Sequence, residues 1–188
     1  MGPADELLFA DATRLRLFPP LRAAWARVGG PAVVPITGRN DRRVLFGAIN
    51  LRTGHRVVVR WARETGPGAR ALLREVRRRY RRAPTIWLLL DRGSAHTAGP
   101  TQRLAHELGI ALIWLPTQWP ELNGMDQLWR ELKRLVAANR QAAHIDHLVQ
   151  EAEDWLLGLS PREALTKAGI LSPNFWLRSL LQNFCSDT

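Results

Sequence analysis

Cysteine is almost absent from this chain of 188 residues, because Cys185 is the only one. A single cysteine excludes an intrachain disulfide and a zinc site built from cysteine ligands, so we expect a reducing cytoplasm. The first residues, MGPADE, lack the basic and then apolar segments of a signal peptide. No apolar run is long enough to span a bilayer. We therefore expect neither a disulfide-stabilised secreted domain nor a membrane protein.

Lysine is also scarce, since 25 of the 27 basic residues are arginine. The net charge of +10 is unevenly placed: residues 1–90 carry 18 arginines and six acids, whereas residues 91–188 carry nine basic residues and 11 acids. A strongly basic half favours a polyanionic partner, most commonly nucleic acid. Solubility combined with a GC-rich source genome explains the arginine content equally well, so charge alone leaves both interpretations open.

The hydrophobic pattern predicts one α/β domain with a sizeable core. Short apolar runs predict strands at residues 7–10, 44–51, 55–61, 86–90 and 110–115. Helical spacing predicts helices at residues 69–80 and 101–108 and further helices from about residue 123 onward. This order of three strands, helix, strand, helix, strand and then helices indicates a mixed sheet of about five strands. We assign residues 1–170 to this domain and residues 171–188 to a C-terminal tail.

Three aspartates occupy matching places in this order. Asp11 follows the first predicted strand, Asp91 follows the fourth, and Asp126 lies in the first turn of the helix after the fifth. If the first and fourth strands are neighbours, Asp11 and Asp91 project from one edge, and a helix across that edge can bring Asp126 to them. Three carboxylates suit Mg²⁺ or Mn²⁺ better than zinc. Two such ions, roughly 3.5–4 Å apart, support phosphoryl transfer.

Each aspartate also has a simpler explanation. Asp91 could form an Asx turn with the residues after it. Asp126 lies three residues after Asn123, a good N-cap, and could merely favour the helix dipole. Asp11 could be an ordinary polar residue at a strand end. Their joint placement, rather than any one of them, favours a common site.

Two segments resemble a known family. Segment 91–96 (DRGSAH) resembles the second-acid segment of mariner-related DDE transposases, specifically of their bacterial insertion-sequence branch. Segment 114–129 (WLPTQWPELNGMDQLW), followed by Leu132-Lys133, resembles the third-acid segment. The 34 residues between Asp91 and Asp126 match the spacing typical of that superfamily. Residues 8–11 and 45–48 resemble, more weakly, the first-acid strand and the strand after it, so the resemblance covers residues 7–167.

The resemblance implies an RNase H-like core in which Asp11, Asp91 and Asp126 are the catalytic and metal-binding acids for two Mg²⁺ or Mn²⁺ ions. It implies metal-dependent nicking at element ends, followed by attack of a 3′-hydroxyl on target DNA, usually at a TA step. The expected partners are terminal inverted repeats, target DNA and further copies of the chain. The expected location is the bacterial cytoplasm, in association with the nucleoid.

The sequence also departs from the family pattern. Ala12 stands where many relatives have a second acid, Arg92 where asparagine is common, and Gly124 where proline is usual. The third acid is aspartate, as in mariner itself, where the bacterial branch usually has glutamate. Family members carry helix-turn-helix domains ahead of the first acid, and Asp11 lies close to the first residue, so we expect the N-terminal helix-turn-helix region to be lacking here. Three explanations stay open: a split transposase whose helix-turn-helix chain is separately encoded, a trimmed form of a longer chain, or a degraded remnant. The alternatives are an inactive remnant that binds DNA or a partner chain, or another RNase H-like nuclease.

Four more residues are candidates for contacting DNA. Arg130 and Lys133 share a helix face with Asp126 and could hold a phosphate, although an ordinary solvated face explains them equally well. His96 matches the family's histidine after the second acid and could contact DNA or orient the site, with a structural hydrogen bond as the alternative. Trp119, in a loop near the third acid, could stack on a base. An arginine stripe on the first helix could track DNA, but a solvated face explains much of it: Arg74, Arg77, Arg78 and Arg81.

Overall fold

The computed structural model describes residues 2–23, 25, 27–30, 33–36, 38–117 and 119–185. Within them, five strands form one mixed sheet in the order β3-β2-β1-β4-β5. The strands are β1 (Glu6–Arg16), β2 (Arg42–Asn50), β3 (Arg56–Trp61), β4 (Ile86–Leu90) and β5 (Ile110–Trp114). β1, β2 and β3 pair in antiparallel fashion, whereas β4 and β5 extend the sheet in parallel beyond β1. The predicted α/β class and order of elements are confirmed.

Helices cover both faces of this sheet. α1 (Gly66–Arg79), α2 (Ser94–Thr97) and α3 (Gly99–Glu107) come before β5. α4 (Gly124–Leu132) follows a short 3₁₀ turn and continues as a π-helical turn, Lys133–Ala137. α5 (Ile145–Gly158), α6 (Pro161–Lys167) and α7 (Arg178–Cys185) complete the chain. None of the helices within the described ranges is long and apolar enough to cross a bilayer.

The alternation of side chains along the strands divides the core into two layers, one on each face of the sheet. Phe9 and Leu7 of β1 face a layer that includes α4, α5 and α6. Leu8 and Ala10 face the layer that includes α1 and α3. The position of a residue along a strand therefore determines which face of the sheet its side chain lies on, and which helices it can contact.

The first strand is longer than the sequence predicted. It was expected to span residues 7–10 and to end at Asp11, but β1 continues to Arg16. Strand β2 is long enough to keep pairing with it, from Ala12 opposite Phe46 to Arg16 opposite Arg42. On its other side β1 is paired with β4, which ends at Leu90. The part of β1 beyond Asp11 therefore projects past the end of β4.

The segment after residue 170, predicted as a tail, contacts the fold. Phe175 stacks edge-on against Phe9, with ring centroids 6.2 Å apart. Trp176 donates a hydrogen bond from Nε1 to the Leu122 carbonyl, at 3.0 Å. Residues 186–188 of the predicted tail lie outside the described residues. The assignment of residues 171–188 to a separate unit stays a prediction.

Candidate active site

Asp11 of β1 lies level with Asp91, the residue that follows the neighbouring parallel strand β4. Phe9 of β1 pairs with Leu89 of β4, and each aspartate comes two residues later. Side chains two residues apart on a strand share a face. Phe9 and Leu89 both belong to the core layer that includes α4. The expected juxtaposition of these two strands is therefore present, although Asp11 lies within its strand rather than at the end of it.

Helix α4 carries Asp126 in its first turn, and its start is fixed to strand β1. The side chain of Asn123 caps the helix by accepting a hydrogen bond from the Met125 backbone N–H at 3.0 Å. The same side chain donates from Nδ2 to the carbonyl of Ala10, also at 3.0 Å. Asn123 is buried, so both bonds are shielded from water. One asparagine thus ties the helix that bears Asp126 to the residue just before Asp11.

A glycine opposite Asp11 lets α4 approach the sheet. Gly47 of β2 is the cross-strand partner of Asp11. A Cβ atom at Gly47 would lie 2.6 Å from both Met125 Cε and Trp129 Cζ2, closer than atoms can pack. Both of those side chains belong to α4 and are buried. The absence of a side chain at Gly47 therefore sets how closely the Asp126 helix lies to Asp11.

The three predicted aspartates line one open cleft of about 590 Å³, together with segments of the β4–α2 and β5–α4 connections. Burial raises the pKa of Asp11 to about 7, and the negative charges of Asp91, Asp126 and Glu64 act in the same direction. A hydrogen bond from the Ala12 backbone opposes that rise. The carboxylates are therefore close enough to repel one another in the absence of a cation.

Asp126 is held by an ion pair. Its Oδ2 atom lies 2.8 Å from Nη2 of Arg130, one helical turn later. The geometry of this contact is not that of a hydrogen bond, and Oδ2 is buried with no hydrogen-bond donor among the residues that the structure describes. Among the described residues, no three acidic, histidine or cysteine side chains are grouped closely enough to hold one ion as they stand. Binding a cation to all three aspartates would therefore require side-chain rearrangement.

Asp91 has local partners as well. The Gly93 backbone N–H donates to Asp91 Oδ1 at 3.1 Å, which is the Asx turn of the simpler explanation. His96 Nε2 lies 3.8 Å from the same oxygen. The imidazole is buried, with 4% exposed, and meets the Phe46 ring edge-on. Burial lowers the pKa of His96, while the charges of Asp91 and Glu64 act to raise it.

The other predicted DNA contacts lie around this cleft. Trp119 lines it and is 56% exposed. Arg130 is exposed beside Asp126. Lys133 begins the π-helical turn, where burial lowers its pKa and the charges of Asp126 and Asp11 act to raise it.

Two supporting features were not predicted from the sequence. They are the hydrogen bond from the Asn123 side chain to Ala10 and the space that Gly47 leaves for α4. The predicted N-cap at Asn123 was a signal for the first.

Comparison with known proteins agrees with this geometry. Residues 6–149, which include all three aspartates, match the family described as DDE superfamily endonuclease. The insertion element IS630 uncharacterized 39 kDa protein of Shigella sonnei is 26% identical over 156 residues, 82% of this chain and 46% of that protein. The chain thus spans about half the length of the curated relative that it matches.

Solved structures show the same fold. A crystal structure of the mariner Mos1 paired-end complex with Mg matches with a TM-score of 0.69 at 13% identity, over 95% of this chain and 55% of that one. The catalytic domain of Mos1 mariner transposase matches with a TM-score of 0.62 at 11% identity, over 95% of this chain and 82% of that one. The predicted RNase H-like architecture is confirmed by this likeness. The match over residues 6–149 shows that this chain belongs to the DDE superfamily endonuclease family.

Proposed function

We propose that this chain is the catalytic domain of a DNA transposase, which cleaves phosphodiester bonds at element ends and transfers the strand into target DNA. The observation that supports this best is the convergence of Asp11, Asp91 and Asp126 on one cleft. Three separate elements deliver them: the middle of β1, the end of β4 and the first turn of α4. Local turn and capping roles explain single aspartates, but they give no reason for all three to meet.

The donors fit Mg²⁺ or Mn²⁺, and we propose two ions held by the three aspartates. The carboxylates offer hard oxygen ligands, which these ions prefer. The buried Oδ2 of Asp126 has no hydrogen-bond donor in the described part of the chain, so it is an oxygen that a cation could satisfy. Two of the Mos1 structures that resemble this chain are described as complexes with Mg and with Mn. Bound cations would neutralise the carboxylates and stabilise the charge of an attacking and a leaving oxygen.

The residues of the chain have distinct parts in this proposal. Asn123 holds the Asp126 helix against β1, so the carboxylates stay within reach of one another. Arg130 balances Asp126 in the absence of a cation and is free to hold a DNA phosphate once that carboxylate binds metal. Lys133 is a second phosphate ligand beside it.

His96 is too buried to reach DNA easily, so its proposed part is to position Asp91. Trp119 is exposed at the cleft and would stack on a base.

The proposed partners are terminal inverted repeats, target DNA and a second copy of the chain. Mos1, a structural relative, is described in a paired-end complex with a transposon end and in a strand transfer complex. Recognition of the ends belongs, in this proposal, to a helix-turn-helix region outside the described residues, encoded on a separate chain or in a longer form of this one. A DNA substrate of this kind would place the protein at the bacterial nucleoid.

The test is cleavage of terminal-repeat DNA by this chain, supplied with its helix-turn-helix partner, in the presence and absence of Mn²⁺. We expect nicking that needs the ion and that falls at least about a hundredfold in Asp91→Asn and in Asp126→Asn, because each loses a ligand charge. Asp154→Asn, a matched change on the exposed face of helix α5, should cut like the parent. Equal cutting by all four proteins would overturn the assignment.

The same assay separates the two alternatives. Cutting without joining of the 3′-hydroxyl to target DNA would indicate another RNase H-like nuclease. DNA binding without Mn²⁺-dependent stabilisation or cutting would indicate an inactive remnant. Ala12 and Arg92, where the family pattern differs, directly follow Asp11 and Asp91 and would be the first positions to restore in that case.

A further inference from the structure

Strongly charged surface lies beside the aspartate cleft as well as on helix α1. Because β1 continues past the end of β4, its last residues and the start of β2 project together from the sheet. We call this region, with the residues just after β3, the basic ledge, defined by five arginines: Arg14, Arg16, Arg42, Arg43 and Arg63. Two clefts of about 340 and 250 Å³ run along it, and Arg14 lines both of them. Lys133 lines the larger one.

Three of the five arginines have no carboxylate partner among the described residues: Arg16, Arg42 and Arg63. All three are exposed. Of the other two, Arg14 pairs with Glu64 at 2.8 Å, and Arg43 pairs with Asp146 at 3.2 Å. Asp41, exposed at the start of β2, is a further acid nearby. The ledge therefore keeps an excess of positive charge at the edge of a negatively charged cleft.

The arginines of α1 are placed and used differently. Arg77 donates hydrogen bonds to the carbonyls of Leu108, Tyr80 and Ala83. Its guanidinium therefore holds the turns after α1 and α3 in place and is not available to a DNA phosphate. Arg78 pairs with Glu75, and Arg79 donates to His55. Leu108 and Ala83 precede strands β5 and β4, so this end of α1 lies at the opposite end of the sheet from Asp91. These arginines are poorly placed for DNA that reaches the cleft.

We propose that the basic ledge binds the sugar-phosphate backbone of duplex DNA next to the bond that is cut. This inference rests on the proposed function and adds to it the path of the substrate. Exposed arginines are well suited to phosphate oxygens, because the guanidinium keeps its charge and presents several donors. From Asp11 to Arg16 the strand covers about 17 Å at its usual rise. That length follows about half a turn of B-form DNA.

The test compares two triple variants that remove the same charge. The ledge variant is Arg16→Ala with Arg42→Ala and Arg63→Ala. The control variant is Arg74→Ala with Arg81→Ala and Arg82→Ala, exposed residues on α1 and the turn after it that have no carboxylate partner within the described part of the chain. Binding of a labelled duplex of about 30 base pairs, without sequence from any element, is measured in EDTA between about 50 and 200 mM salt. Thermal melting checks that both variants fold.

We expect the ledge variant to bind at least about tenfold more weakly than the parent, and its slope of log affinity against log salt to fall by about 2.7. The control should stay within about twofold of the parent, with a slope loss below one. Equal losses in the two variants would overturn the ledge as a site, and so would a parent that does not bind duplex DNA. Because EDTA removes the metal, this result is independent of the cleavage that tests the proposed function.

Discussion

Arg130 Nη2 lies 2.8 Å from the buried Oδ2 of Asp126, one turn earlier on helix α4. This ion pair occupies the carboxylate that we propose as the third metal ligand. A cation and Arg130 must therefore compete for the same oxygen.

Replacing Arg130 with glutamine should strengthen metal binding. The substitution removes the competing positive charge, so we expect Mn²⁺ to raise the melting temperature at a concentration several-fold lower than in the parent. Arg134→Gln is the matched control, since Arg134 pairs with Glu131 at 2.9 Å outside the cleft. A shift of the same size in both variants would show that the effect is one of overall charge.

Replacing Asp11 with asparagine should stabilise the metal-free protein at alkaline pH. Burial raises the pKa of Asp11 from 3.8 to about 7, so between these values the folded chain holds a proton that the unfolded chain has released. The stability of the parent should therefore fall as the pH rises from about 4 to about 7, and Asp11→Asn should lack that loss. At pH about 8 in EDTA we expect a gain of up to about 4 kcal/mol, or about 8–16 °C in melting temperature.

A gain that is equally large at pH about 4 would contradict the explanation, since Asp11 of the folded parent is then protonated and as neutral as the asparagine that replaces it. Asp154→Asn on the exposed face of α5 is the control and should leave the pH dependence unchanged. Asp11→Asn should also weaken Mn²⁺ binding. The same substitution would then stabilise the fold while impairing the proposed function.

Gly47→Ala should displace helix α4 from the sheet. The added methyl group would overlap Met125 and Trp129, both buried on the helix that carries Asp126. We expect a loss of about 1–3 kcal/mol in the free energy of unfolding, together with weaker Mn²⁺ binding because Asp126 moves away from Asp11. Gly158→Ala is the control, since nothing lies within 4 Å of its added methyl group. Urea unfolding and Mn²⁺ titration of both variants check the result, and unchanged metal binding in Gly47→Ala would contradict it.

Trp176→Phe should loosen the loop before the third aspartate. Trp176 Nε1 donates to the Leu122 carbonyl, one residue before the Asn123 cap. Phenylalanine keeps most of the apolar contact but leaves that carbonyl without its donor, so we expect about 1 kcal/mol of destabilisation. Hydrogen exchange of the backbone around Asn123 should accelerate in this variant. Trp25→Phe, at a fully exposed position, should change neither quantity.

The sequence was enough to predict the fold because its apolar runs and breakers follow the elements closely. The run at residues 86–90 coincides with β4 from Ile86 to Leu90, and Asp91 follows it as expected. The length of β1 could not be predicted in the same way. Its continuation to Arg16 alternates buried Thr13 and Leu15 with exposed arginines, and it is stabilised by pairing with β2, a contact distant in sequence.

Much of the candidate site was also predictable, whereas its supporting contacts were not. The spacing of Asp91 and Asp126 and the N-cap at Asn123 are local signals. The bond from Asn123 to Ala10 and the space left by Gly47 depend on how α4 packs against two strands. The path of DNA was ambiguous for a related reason. Arginines on α1 and on the basic ledge look alike in sequence, and only their positions and partners distinguish them.

The most direct test of the central claim is a calorimetric titration of this chain with Mn²⁺. If Asp11, Asp91 and Asp126 form one metal site, the parent should bind two ions, and Asp91→Asn and Asp126→Asn should each bind at least about tenfold more weakly. Asp154→Asn should bind like the parent. Binding that is unchanged in the first two variants, or absent from the parent, would contradict the account.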